Sequence, residues 1–180
     1  MKNPAVKYGL IAGFIGVLLS TLTYAMGVAY MANLWTGLLI LVIIIVMYVI
    51  LSIRIRKDAG GFITFKDAFI RIFIMCLIAG VIGAIYNIIL NTLIDPELPQ
   101  KLQVVIIEKT TSMMEKFGAP QEEIDKAIDK LQNEAANKFT VLSQLKGLAI
   151  MTIVSAIFAL ILAAIVKKNP PIVDEPKPNA

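Results

Sequence analysis

Between Lys7 and Arg54 the chain carries no Asp, Glu, Lys or Arg. The uncharged run covers 46 positions, 8 to 53. Crossing a hydrocarbon core of roughly 30 Å takes about 20 apolar residues in a helix. The run is long enough for two such helices joined by a tight turn, and too apolar for a soluble fold. The sequence therefore predicts an integral membrane protein.

Two further stretches, 72–94 and 147–166, are also free of charge, and 58% of the 180 residues are hydrophobic. A soluble domain holds about 45–50% apolar residues. Residues 95–146 are charged and mixed in the ordinary soluble manner. This predicts an all-α polytopic protein with four transmembrane helices and an extramembrane helical hairpin between the third and fourth. Lys2 and Lys7 resemble the n-region of a signal peptide. The apolar run that follows outlasts a signal h-region of about 7–15 residues, so the first helix is expected to be retained.

The expected spans are 5–30, 35–56, 65–94 (its membrane part from Ile72) and 147–168. Pro4 suits a first helical turn. Tyr30 to Trp35 form the first turn around Asn33, with aromatic rings at the membrane interface. The centre of the second span, Leu38 to Val49, has no small residues and is expected to face lipid. Gly60-Gly61 breaks the chain after the second span. Thr64 can cap the third helix, with Asp67 in its first turn, and Asp95-Pro96 stops it. Leu98, Leu102, Val105, Ile106, Met113 and Phe117 recur at helical spacing. Gly118-Ala119-Pro120 then ends one helix and starts another. With no proline from Gln121 to Asn169, the second helix of the insertion is expected to run into the fourth span as one rod. The 95–146 hairpin would then stand on the membrane as extensions of helices 3 and 4. The proline-rich tail, 169–180, is expected to be disordered.

Four spans put both termini on one side. That side collects Lys2, Lys7, Arg54, Arg56, Lys57, Lys66, Arg71, Lys167, Lys168 and Lys177. By the positive-inside rule the termini and the 54–71 loop are expected in the cytoplasm, and the 95–146 hairpin in the periplasm. The net charge of +4 serves topology and gives no sign of nucleic-acid binding.

The chemistry available is sparse. Histidine is absent, and with it the commonest general base and metal ligand. The one cysteine, Cys76, can form neither an internal disulfide nor a CxxC pair. Glu122, Glu123, Asp125 and Asp129 fit no calcium-loop spacing. No Asp, Glu, His, Lys or Arg lies within the charge-free stretches 8–53, 72–94 and 147–166, which argues against a proton relay. No catalytic, cofactor-binding or metal site is expected.

Small residues recur at four-residue spacing: Gly9 and Gly13, Ala12 and Gly16, Ala79 and Gly83, Gly80 and Ala84, and Ser155, Ala159 and Ala163. Such faces let helix backbones approach closely in lipid, either within a bundle or against a partner. Asn87 and Asn91 are polar groups within the membrane, suited to a structural hydrogen bond or a polar path. Arg54, Arg56 and Lys57 form a basic cluster at the membrane edge, suited to fixing topology or contacting anionic lipid.

Three places carry a family likeness: Met1-Lys2-Asn3-Pro4 with Lys7-Tyr8-Gly9-Leu10, the loop Gly60-Gly61-Phe62-Ile63-Thr64-Phe65-Lys66-Asp67-Ala68-Phe69, and Asp95-Pro96 after the third span. With four spans at this spacing, nearly the whole chain resembles the bacterial membrane-protein family called domain of unknown function 4199. The resemblance implies a bacterial inner membrane and four helices, and brings no activity, ligand or catalytic residue.

Absent chemistry and available surfaces together predict a non-enzymatic inner-membrane protein, an accessory or scaffolding subunit of a larger complex. Its expected partners are membrane lipids, another membrane protein or a homo-oligomer, and a periplasmic protein at the 97–145 hairpin. The alternative is a small oligomeric transporter or channel component.

Overall fold

The computed structural model describes residues 3–137 and 141–169, without the side chains of 134–137, 141–145 and 148. Every named element among them is helical, and four helices are long and apolar enough to cross a membrane: Pro4–Ala25, Leu34–Asp58, Phe65–Ile94 and Ala149–Val166. The chain thus has the make-up of a multi-pass membrane protein.

Helix α1, Pro4–Ala25, starts where Asn3 Oδ1 accepts the Ala5 N–H, with Pro4 in the first turn. It stops short of the expected Tyr30. Gly27 adopts φ +101°, a conformation that a side chain disfavours. Its N–H reaches Tyr24 O at 2.9 Å, while its own carbonyl accepts from Tyr30 and Met31. One glycine therefore closes α1 and opens the short α2, Val28–Met31. Helix α3, Leu34–Asp58, is capped by Asn33, whose Oδ1 accepts the Trp35 N–H at 2.9 Å. Its middle faces outward, with Leu39 and Val42 63% and 59% exposed.

Gly60 and Gly61, both at φ +86°, turn the chain into α4, Phe65–Ile89. Thr64 caps it by accepting the Asp67 N–H and donating its hydroxyl to Asp67 Oδ2 at 2.8 Å. The last turn widens into a π-helical segment, Leu90–Ile94, closed by Asp95 N–H to Leu90 O at 2.8 Å.

Helix α5, Leu98–Lys116, does not continue α4 away from the four long helices. Lys109 Nζ donates to Ala29 O, in α2, at 2.8 Å. Lys109 lies eleven residues beyond Leu98, roughly 16 Å along a helix, farther than a lysine side chain reaches. Helix α5 therefore lies against α2, the short helix between α1 and α3, instead of standing clear as an upright extension of helix 3. Leu98, Leu102 and Val105 are covered on the expected apolar face, whereas Ile106, Met113 and Phe117 are exposed. Gly118, at φ +73°, separates α5 from α6, Gln121–Asn137, and the two helices touch. Helix α7, Val141–Val166, follows. The junction that would make one rod of α6 and α7 falls on 138–140, and the tail on 170–180, both outside the described residues.

Helix α4 is the hub, packed along α1 and α7, while α3 touches α1, α4 and α7 more lightly. The main core sits near the 59–71 loop, where Tyr8, Ile55, Ile72, Met75, Leu162 and Val166 meet.

Candidate functional site

Helix packing accounts for some of the small-residue positions and leaves others open. A Cβ placed on Gly9 would lie 2.9 Å from Ile78 Cβ and 3.1 Å from Met75 O. One on Gly13 would lie 2.6 Å from Ile82 Cδ1 and 2.9 Å from Ile82 Cβ. These glycines are the reason α1 can lie flat on α4. Ala79, also on α4, is buried, and Gly80 meets the tip of Met151 across the α4–α7 contact. On α7, Ala159 and Ala163 are fully buried and Ser155 is half-buried. By contrast, Gly16 and Gly83 have no described atom within contact range of a Cβ, and Ala84 is exposed.

Asn91 turns its amide back onto Asn87, one helical turn earlier. Asn91 Nδ2 donates to Asn87 O at 2.8 Å and to Asn87 Oδ1 at 3.1 Å. Thr21 and Tyr86 supply a cross-helix hydrogen bond instead, with their hydroxyls 2.8 Å apart.

The basic cluster divides. Arg56 is turned inward, its Nη1 donating to Val166 O at 3.3 Å, so it caps the C-terminus of α7. A cation there also meets the negative end of the helix dipole. Arg54 and Lys57 are exposed, and their side chains make no ion pair or hydrogen bond among the described residues. Only these two of the three are free to meet a lipid headgroup.

Sequence reasoning missed three contacts around these sites. Ile63 N–H donates to Lys168 O at 2.9 Å, and Lys168 N–H returns to Ile63 O at 3.0 Å. The glycine-rich loop thus clamps the end of α7 backbone to backbone, and Lys168 Nζ lies 5.3 Å from the Phe62 ring centre. Tyr8 OH donates to Asp58 Oδ2 at 2.9 Å, tying α1 to the last residue of α3. Asp95 accepts from Tyr24 OH at 3.4 Å and pairs with Lys101 Nζ at 3.2 Å. The hydrogen bonds to Asp95 and then Glu97 raise the pKa of the Lys101 ammonium above its ordinary value. The tyrosines gave no signal in sequence, because each partner lies 50 or more positions away.

Among the described residues no three His, Cys, Asp or Glu side chains gather as a metal site would require. One buried polar atom stands out: Ser52 Oγ, fully buried, finds no hydrogen-bond partner among the described residues.

The loop clamp and the Asp95 corner lie within a segment, residues 7–168, that matches the family described as "Protein of unknown function (DUF4199)". The chain belongs to this family. The match takes in the first long helix from Lys7 onward, the other three whole, and the segment between α4 and α7. No curated protein and no solved structure matches the chain.

Proposed function

We propose that this DUF4199 chain is a non-enzymatic accessory or scaffolding subunit of a complex in a bacterial inner membrane. The observation that carries the proposal is the apolar ridge on α5. Ile106, Met113 and Phe117, spaced seven and four apart on one face, are 40%, 52% and 86% exposed, along and at the end of a helix outside the four long apolar ones. Large apolar groups left bare outside the bundle mark a surface for another molecule. The open small-residue positions Gly16, Gly83 and Ala84 offer a second contact, within the bilayer.

Orientation follows from charge. The 54–71 loop and the chain ends collect the arginines and most membrane-proximal lysines, so we place them in the cytoplasm and α5 and α6 in the periplasm. In this reading Arg54 and Lys57 meet anionic headgroups, while Arg56 holds α7.

The test is to tag the C-terminus, extract native membranes gently, and identify what copurifies. One protein at stoichiometric yield, lost on Phe117→Asp, is expected. An active, partnerless monomer in native membranes would overturn the proposal. A pure homo-oligomer would favour the transporter or channel component.

A further inference from the structure

The first turn of α1 and the first turns of α4 enclose an open groove of about 450 Å³, lined by Asn3, Pro4, Asp67, Ile70, Arg71 and Ile74 among others. It lies where charge gives way to a charge-free apolar stretch, 72–94. In the membrane reading above, on which this inference rests, that depth is the headgroup layer.

Its polar groups are of three kinds. Arg71 makes no ion pair or hydrogen bond among the described residues, although Asp67 lines the same groove one helical turn away. Asn3 uses its Oδ1 on the Ala5 N–H, which leaves its amide N–H groups as donors. Asp67 uses Oδ2 on the Thr64 hydroxyl, which leaves the other carboxylate oxygen to accept. Two donor groups and one acid thus share a groove whose remaining wall is apolar.

We propose that this groove binds a glycerophospholipid with an ethanolamine headgroup, its phosphate on Arg71 and Asn3 and its ammonium on Asp67. A guanidinium suits a phosphate diester because it offers paired N–H donors. A carboxylate beside it opposes a second negative charge, so a purely anionic headgroup is the poorer fit. A primary ammonium donates hydrogen bonds that a choline headgroup lacks. Ile70, Ile74 and Pro4 lie along the start of the acyl chains.

The test uses the full chain purified in mild detergent. Native mass spectrometry and thermal unfolding follow binding of phosphatidylethanolamine, phosphatidylglycerol and phosphatidylcholine, with free phosphoethanolamine as a soluble competitor. The wild type is expected to prefer phosphatidylethanolamine and to ignore the soluble competitor. Losing one charge-assisted contact weakens binding about tenfold, so Arg71→Ala should show that loss and Lys130→Ala, exposed on α6 away from the groove, should not. Asp67→Asn, which can still accept from Thr64, should erase the preference for ethanolamine over glycerol headgroups, and serves if Arg71→Ala does not fold. Equal losses in Lys130→Ala and Arg71→Ala, or a wild type that favours phosphatidylglycerol, would overturn the groove assignment alone. Displacement by phosphoethanolamine would replace the lipid with a soluble phosphate. Protein that stays in solution without detergent would overturn the membrane reading together with this one.

Discussion

Replacing Gly9 by alanine inserts a methyl group between two backbones that already touch. The added carbon would sit 2.9 Å from Ile78 Cβ and 3.1 Å from Met75 O. Carbon atoms attract best at about 3.5–4.0 Å. Neither neighbour is the free end of a side chain, so α1 and α4 must part by several tenths of an ångström along their longest contact. Overpacking of this kind costs about 1–3 kcal/mol. Alanine's better helix propensity returns up to about 1 kcal/mol. Because neither neighbour can swing aside, the upper part of that range applies, and the net expectation is a loss of roughly 1–2 kcal/mol. Gly16, on the same helix, has open space around it, so Gly16→Ala should be neutral or stabilise by up to about 1 kcal/mol. Far-UV circular dichroism during denaturant titration in mixed micelles measures both variants. Equal destabilisation by Gly9→Ala and Gly16→Ala, or a neutral Gly9→Ala, would refute the close α1–α4 approach.

Arg56→Ala should lose about 1 kcal/mol of stability with its hydrogen bond to Val166 O, while Arg54→Ala changes nothing measurable in the same titration. Ser52→Ala should stabilise the fold or leave it unchanged, because the hydroxyl removed is buried without a partner; a loss of more than about 1 kcal/mol would mean that Ser52 Oγ has one. Lys101 contributes through its cation, and its folded pKa is raised. That contribution is complete below its ordinary value of 10.5 and disappears as pH rises through the higher folded value. Melting temperatures in alkaline buffers should show this loss in the wild type and a smaller one in Asp95→Asn, where only Glu97 still holds the Lys101 cation.

The four long apolar helices are plain in the sequence because they need only length and freedom from charge. The Thr64 cap is legible for a similar reason, since a cap acts on residues two or three positions away, and Asn33, legible as the turn's polar centre, proves to cap α3. What the sequence conceals is which of several alike residues meets a neighbour. Gly9, Gly13, Gly16 and Gly27 look equivalent along the first apolar run. Two seat α4, one faces open space, and one ends α1 by taking a positive φ. Arg54, Arg56 and Lys57 read as one basic cluster, yet only Arg56 points at α7. The lie of α5 depends on Lys109 reaching Ala29, 80 positions earlier, and no periodicity carries that information.

The subunit role is tested most directly by a photo-crosslinking residue at Phe117, activated in native membranes. The same residue at Leu39, on the outward face of α3, serves as the control. A discrete adduct to one other protein from Phe117, and none from Leu39, is the expected result. Phe117 that crosslinks only to lipid, or to nothing, would contradict a partner-binding ridge on α5.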